Sequence, residues 1–415
     1  MDEVETFPVL ENYPKMRKLT KWHDKRLIFS SSYISFAESS QKSQFSETTE
    51  TTQIIETLIP LKNENSYEKK SRNEEKYLFL RMKQKIKRYK MKKLLSIAMM
   101  AMLSVTAFAQ EENWTTIQNG IEWTDTEGYI VQAHGGNFLH HGDKWYLVGE
   151  DRSGSWMPDV NLYSTEDFVH WKFEAKIIKN FVTHEALGSS RMIERPKLMW
   201  NEKTKKFVVW CHWEARNYSA SEAAVFESDD VAGPYECVWA GRPCGTKSRD
   251  CNVFVDNDGK AYFISTTDEN TNLGLFELSD DYRKALSKTP MFEGMRREAP
   301  AIVHIGDTYY MISSACTGWD PNQAKIATSK DIKSGWTELE NIGDKIAFDT
   351  QASSILTIKG TEGTVYIYVG DRWMDPDLPR SKIIMLPIEW KDGKMELNYY
   401  DKWQIDFKRG VWRKL

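Results

Sequence analysis

Apolar and polar positions alternate along this chain in short runs, and the runs come in pairs. From Asn137, the stretch NFLHHGDKWYLVGED sets two alternating segments on either side of Gly142-Asp143, the pattern of a β-hairpin closed by a tight turn. The pattern returns in KLMWNEKTKKFVVWCHWE from Lys197, NVFVDNDGKAYFISTTD from Asn252, AIVHIGDTYYMISSACT from Ala301 and SSILTIKGTEGTVYIYVGDRW from Ser353. A second strand pair follows each hairpin: VNLYSTEDFVHWKFEA, AAVFESDDVAGPYECV, LGLFELSDDYRKAL, AKIATSKDIKSGWTEL and KIIMLPIEWKDGKMEL. The unit is therefore four strands in about fifty to sixty residues, repeated five times. A β-sandwich also has many short strands, but it does not require motifs in a fixed order within each unit. The predicted fold class is all-β, a five-bladed β-propeller.

The N-terminal stretch breaks this pattern. All 23 Gly and all 5 Cys lie after Met91. Before it, SSSYISFAESSQKSQFSETTETTQ has the composition of chain that cannot bury a core. Met91-Lys92-Lys93, the apolar run from Leu94 and Ala107-Phe108-Ala109 together make an export signal, with cleavage before Gln110. The apolar run is too short for a membrane span, and no Cys stands at the cleavage site to take a lipid. Because such a signal belongs at an N-terminus, residues 1–90 read as a non-native or disordered extension. Residues 91–109 are then the signal peptide and 110–415 the propeller domain, exported to the periplasm or the medium.

Charge narrows the partners. The basic run Arg81–Lys93 falls in the presequence, and residues 110–415 carry 47 Asp and Glu against 36 Lys and Arg. An acidic exported domain is a poor nucleic-acid binder. Export permits disulfides, and Cys237 and Cys244 are close enough in sequence to pair across a turn. The other cysteines are Cys211, Cys251 and Cys316, so at least one thiol is left over. No C-x-x-C pair exists, and zinc is not expected.

In a propeller the first strand of each blade lines the central channel, so residues just before each hairpin converge on the axis. Here those residues are Ala133-His134-Gly135-Gly136, Ile193-Glu194-Arg195-Pro196, Ser248-Arg249-Asp250, Arg297-Glu298-Ala299-Pro300 and Asp349-Thr350-Gln351. Glu194, Asp250 and Glu298 would meet there with Gln351 and His134. Glycosidic hydrolysis wants such a set: a protonated acid for the leaving oxygen, and a second group that activates water or attacks. Crowded carboxyls raise one pKa, which keeps a general acid protonated near neutral pH. Taken singly, Glu194 could instead pair with Arg195, and Asp250 with Arg249. Polar and aromatic residues also gather at the far ends of the hairpins, on the same face. They are Glu150-Asp151-Arg152, His212-Trp213-Glu214, Tyr218, Thr317-Gly318-Trp319 and Asp371-Arg372-Trp373. Trp faces stack on sugar C–H groups while carboxylates and Arg hold hydroxyls. Trp145, Trp171, Trp336 and Trp390 sit inside strands or hairpins and read as core.

At these residues the chain resembles glycoside hydrolase family 43, in its branch of exo-β-1,3-galactanases. The matching stretches are AHGGNFLHHGDKWYLVGEDR, ERPKLMWN, SRDCNVFVDNDGKAYFI, REAPAIVHIGDTYYMISSACTGW and FDTQASSI, and the likeness runs from about Asn113 to Phe407. The resemblance implies an inverting five-bladed propeller that releases galactose from the ends of β-1,3-galactan or arabinogalactan-type chains. It implies no required cofactor and leaves room for Ca²⁺ as a structural ion. By resemblance, Glu298 is the general acid and Asp250 orients it and tunes its pKa. Most members carry a basic Asp in the first blade, where this sequence has His134-Gly135-Gly136. The galactanase branch shares that absence and is thought to hold water with a Gln and a Glu, which map onto Gln351 and Glu194. Gln351 then positions water or acts through its imidic tautomer, Glu194 is a rival base, and His134 is a third candidate. Sugar contacts are expected from Glu150, Arg195, Tyr218 and Thr317, and from Trp319, His134, Arg372 and Trp373. Two other readings stay open. One is a family 43 α-L-arabinofuranosidase or β-xylosidase, against which the missing Asp counts. The other is a glycan-binding propeller without catalysis, against which Glu298 and Asp250 count.

Overall fold

The computed structural model describes residues 76–96, 114–154, 157–179 and 191–415, and the chain divides into two units, Met1–Ala101 and Met102–Leu415. Within the first, residues 76–96 form one exposed helix. Its last residues, 91–96, are the start of the predicted export signal, whose cleavage site lies outside the described residues. No helix among the described residues is long and apolar enough to cross a membrane.

In the second unit the period-two alternation folds into antiparallel sheets, because it gives each strand one face for a neighbouring sheet. A short strand, β1 (Thr115–Gln118), precedes the repeats. The first repeat is β2 (His134–His141), β3 (Lys144–Asp151), β4 (Asp159–Thr165) and β5 (Lys172–Ile178). The second is β6 (Arg191–Asn201), β7 (Lys206–Ala215), β8 (Glu222–Ser228) and β9 (Glu236–Gly241). The third is β10 (Ser248–Val255), β11 (Ala261–Thr267), β12 (Asn272–Leu278) and β13 (Ala285–Met291). The fourth is β14 (Arg297–Ile305), β15 (Thr308–Ala315), β16 (Lys325–Ser329) and β17 (Glu340–Asn341). The fifth is β18 (Gln351–Lys359), β19 (Thr364–Arg372), β20 (Lys382–Lys391) and β21 (Lys394–Leu397). Two strands close the chain, β22 (Lys402–Asp406) and β23 (Val411–Lys414).

The all-β propeller is as expected, but the predicted count of five blades is corrected to six. Each repeat makes a four-stranded sheet, and a sixth, three-stranded sheet joins β1 to β22 and β23. No repeat announces it, because Thr115 pairs with Ile405 from the other end of the unit. Its Ile117, Trp403 and Ile405 share one apolar cluster with Phe138 and Leu147 of the first sheet and Leu356 and Ile367 of the fifth. The indole of Trp403 donates to Met385 O at 2.9 Å, so the added sheet is keyed to the fifth. Four more clusters fill the successive seams from the first sheet to the fifth.

At the axis, the wholly buried Lys197 donates from Nζ to Gly135 O and Gly136 O at 2.7 Å and to Ser353 O at 2.8 Å. One ammonium thus ties the first, second and fifth inner strands. Asn252 adds the third and fourth, donating to Pro300 O and Ser353 O at 2.7 and 2.9 Å. The proposed Cys237–Cys244 pairing is not formed, and all five cysteines are free thiols. Cys237 donates to Trp239 O while Cys244 faces Ala285 O on the next sheet, so the two point to different neighbours. Trp171 is core as expected, but Trp390 is 41% exposed at the outer edge of the fifth sheet.

Candidate active site

The five inner strands share one irregularity. In β2, β6, β10, β14 and β18 the register slips near the strand's start: between His134 and Asn137, Glu194 and Lys197, Ser248 and Cys251, Glu298 and Ala301, and Ala352 and Ser354. A β-bulge inserts an unpaired residue and re-aims the side chains beside it. Gly135, Arg195 and Ala299 take the positive φ that three of these bulges need. The residues singled out before each hairpin therefore lie in or beside a bulge: Asp250 within one, His134, Glu194 and Glu298 as the last paired residue before theirs, and Gln351 one residue earlier.

Glu150, Glu194, Arg195, Tyr218, Asp250, Glu298, Trp319, Gln351 and Trp373 line one cavity of about 380 Å³. His212, Arg249, Asn270, Arg296 and Cys316 line it too, though none had been assigned a site role from the sequence. They sit at strand ends or in loops. Two had a signal, His212 within the cluster His212-Trp213-Glu214 and Arg249 within the pre-hairpin Ser248-Arg249-Asp250, while Asn270, Arg296 and Cys316 had none.

Three expected contacts fall elsewhere. His134 is 1% exposed, with Nδ1 3.2 Å from Asp371 Oδ1, and it does not line the cavity. Asp371 holds it there, since the second oxygen of the same carboxylate accepts the Gly135 N–H at 3.0 Å and so fixes the bulge backbone and the imidazole together. Behind it, a Cβ on Gly136 would meet Val148 O at 1.6 Å, so β3 leaves no room for a side chain at that position. Thr317 is exposed and spends its hydroxyl on Asp320 O, while Asn322 donates to it. Arg372 is turned to Phe348 O and Asp349 O and lies over the Tyr399 ring. It braces the loop before β18 instead of facing the cavity.

Arginine pairing also crosses the sequence neighbours. Arg195 Nε meets Asp250 Oδ2 at 2.7 Å, not Glu194 beside it. Arg249 takes Glu269 at 3.0 Å and Tyr218 O at 3.0 Å, not Asp250. Arg195 also donates to Gln351 Oε1, as does Trp373 Nε1 at 3.0 Å. Both of those groups can only donate, so the amide oxygen must face them and Nε2 must face Glu298. That Nε2 donates to Glu298 Oε1 at 2.9 Å and to Ser314 Oγ at 3.2 Å.

Two carboxyls at equivalent bulges are held in opposite states. Burial and then the Asp250 charge push Glu298 up to about 8, against the pull of Arg195 and the Cys316 thiol. Burial acts on Glu194 in the same sense but is outweighed by the His212 hydrogen bond and charge, Arg152 and Tyr218, which bring it to about 2. Tyr218 donates to Glu194 Oε1 at 2.9 Å, Arg152 reaches the same oxygen at 3.3 Å, and His212 Nδ1 lies 3.2 Å from Oε2. Despite its burial, His212 is raised to about 9 by Glu194 and Glu214, so it is an imidazolium at neutral pH. Glu150 is raised by burial, with its Oε1 taking the Arg195 backbone N–H at 2.7 Å. Arg152 lies over Trp319, and Trp319 meets Trp373 edge-on at 4.8 Å, giving the cavity an aromatic wall. The arrangement offers a proton donor, an ionised carboxylate, fixed N–H and O–H donors and apolar faces within one pocket. No group of three or more His, Cys, Asp or Glu suited to a metal occurs among the described residues.

The family model described as glycosyl hydrolases family 43 matches residues 133–395. Among solved structures, an exo-β-1,3-galactanase from Clostridium thermocellum is 40% identical, with a TM-score of 0.70 over 72% of this chain and 68% of that one. An exo-β-1,3-galactanase from Phanerochaete chrysosporium, solved with β-1,3-galactotriose, is 29% identical, with a TM-score of 0.69 over 72% of this chain and 71% of that one. A xylan 1,3-β-xylosidase from a Vibrio species is 24% identical over 52% of this chain and 41% of its own length. The chain spans less than half the length of the curated relatives it matches.

Proposed function

The chain belongs to glycosyl hydrolase family 43, and on that premise we propose that it is an inverting, exo-acting hydrolase releasing galactose from β-1,3-galactan and arabinogalactan-type chains. The observation that carries this is Glu298, a cavity carboxyl still protonated at neutral pH because burial and Asp250 push it up to about 8. It gives its proton to the glycosidic oxygen as the C–O bond breaks, and the leaving sugar departs as an alcohol. A water attacks the anomeric carbon from the opposite face, which inverts the configuration. Its surplus proton passes to Glu194, which releases it to solvent, and solvent returns one proton to Glu298, so both carboxyls regain their starting states.

Glu194 takes the base role because Gln351 is poorly disposed to it. The imidic tautomer of Gln351 would put a proton on an oxygen that already faces two donors, Arg195 and Trp373. A carboxylate near 2 is a weak base, so the transfer comes late, once the attacking water has become acidic by bonding to carbon. Gln351 positions Glu298 through its amide N–H, and Asp250 keeps Glu298 protonated. Trp319 and Trp373 stack on the sugar, while Glu150, Arg195 and Tyr218 hold its hydroxyls.

The galactan assignment is supported by the galactanase structures, which are more alike to this chain than the xylosidase relative. No cofactor is needed in this scheme. The signal-like segment after Met91 supports export as the site of action. The test is β-1,3-galactobiose followed by NMR, where α-galactose is expected to appear first. β-Galactose first would overturn inversion. Release of sugar only from xylosides or arabinofuranosides would move the substrate, and binding with no product at all would leave a lectin.

A further inference from the structure

Behind the ionised side of the cavity stands a carboxylate that does not face it. Glu214, the last residue but one of β7, is wholly buried and does not line the catalytic cavity. Two residues before it, His212 lies opposite Glu194 in the β6–β7 register, and its ring stands between the two carboxylates. Nδ1 faces Glu194 Oε2 at 3.2 Å, and Nε2 faces Glu214 Oε2 at 3.1 Å. A ring met by a carboxylate on each side must present an N–H to both, which only the imidazolium does.

The other oxygen closes a loop. Glu214 Oε1 accepts from Ala215 N at 2.8 Å at the start of the β7–β8 connection, and from Ala220 N at 2.7 Å and Ser221 N at 3.1 Å at its end. Between these ends stands Tyr218, whose hydroxyl donates to Glu194 Oε1 at 2.9 Å. Tyr218 and Ser221 have φ of 56° and 49°, a conformation that residues with a Cβ keep only where their surroundings enforce it. Three backbone N–H groups drawn to one buried carboxylate oxygen supply that constraint. From the third sheet Arg249 backs the same turn, donating to Tyr218 O at 3.0 Å and Ser221 Oγ at 3.2 Å, with its Nε 3.7 Å from Glu214 Oε2.

Of the imidazolium, the guanidinium and the phenol that meet Glu194, the first and the third therefore depend on Glu214. We propose that Glu214 is a positioning residue for Glu194: one buried carboxylate aims the His212 ring at it and closes the loop that lays the Tyr218 hydroxyl on it. That Glu194 is the base rests on the function proposed above. The charged groups that act on His212 are Glu194 of β6, Glu214 of β7 and Asp250 of β10. Arg249 of β10 stands against Glu214, and Arg152, just after β3, against Glu194. Removing the charge of Glu214 while keeping its shape would leave the His212 ring with one carboxylate in place of two.

Glu214→Gln separates the two arms. Its amide oxygen can still accept the loop N–H groups, but its Nε2 only donates, so His212 Nε2 must accept there and the ring keeps one proton, on Nδ1 toward Glu194. Histidine-nitrogen NMR at neutral pH reads this directly. The His212 signals, identified by their loss in His212→Gln, are expected to change from those of an imidazolium to those of a neutral ring. With β-1,3-galactobiose, the acidic limb of kcat/KM is expected to move up by about one to two pH units, with KM within about twofold of wild type. Glu214→Ala removes both arms, and its KM is expected to rise about tenfold as Tyr218 loses its place on the sugar. An imidazolium signal that persists in Glu214→Gln with an unmoved acidic limb would overturn the proposal, even if the variant melts earlier, and leave Glu214 a loop cap. An unchanged KM in a folded Glu214→Ala would overturn it as well, and the Gln variant decides whether or not the Ala variant folds. A wild type that cleaves no galactobiose would sink the catalytic reading alone, with the His212 signal still showing whether Glu214 governs that ring.

Discussion

Glu194 and Glu298 stand at equivalent bulges in the second and fourth sheets, yet their surroundings differ in kind. Around Glu194, an imidazolium, a guanidinium and a phenol converge on one carboxylate. Around Glu298 there are an amide N–H and a thiol, and the Asp250 charge adds to the effect of burial. The repeat delivers a carboxyl to the axis in both places, and the neighbours decide its proton. Burial alone decides nothing, since both groups are at most 7% exposed. What separates them is whether a buried cation stands within hydrogen-bond reach.

The comparison breaks most visibly at the proton donor. Glu298→Gln keeps the shape and the Gln351 contact but removes the transferable proton. It is expected to lower kcat on galactobiose by about a thousandfold with little change in KM, as steady-state kinetics would show. At pH 7 the fold should not suffer. A carboxyl with a raised folded pKa contributes stability below its unfolded value near 4.5 and loses it as pH rises through about 8.

A smaller effect is expected on the other side. His212→Gln leaves Glu194 and Glu214 buried without their shared cation, at a cost of about 3 kcal/mol in denaturant melts. Its pH signature distinguishes it from simple packing loss. The raised pKa of His212 gives stability that is full below about 6.5 and lost as pH rises through about 9. The lowered pKa of Glu194 gives stability present above about 4.5 and lost as pH falls through about 2. Wild-type stability should therefore decline between pH 6.5 and 9 more steeply than that of the variant. The smallest effect belongs to Cys316. Its thiol holds Glu298 down slightly, so Cys316→Ala should move the alkaline limb of kcat/KM, expected near pH 8, upward by a fraction of a pH unit.

The repeats were legible because a hairpin writes its turn locally. Gly142, Gly259 and Gly306 take the positive φ at three of these turns. The sixth sheet was not legible, since β1 and β22 have no local relation and the strands are only four and five residues long. The positions of Glu194, Asp250, Glu298 and Gln351 before each inner hairpin were readable from the same repeat. Their partners were not. Arg195 crosses to Asp250, and Arg249 to Glu269, because bulges turn successive side chains to different neighbours. His134 shows the limit from the other side. Its repeat position matches the others, yet its ring is buried against Asp371 of the fifth sheet, a partner that no local pattern announces.

By itself, then, the sequence determined the strands, their order and the set of polar residues offered to the axis, because alternation and turn chemistry act over a few residues. The tertiary structure decided the number of sheets, which residues reach the cavity and which carboxyl keeps its proton. Those depend on groups brought together from distant repeats, and a pKa is set by the charges and the burial within a few ångströms, wherever along the chain they come from.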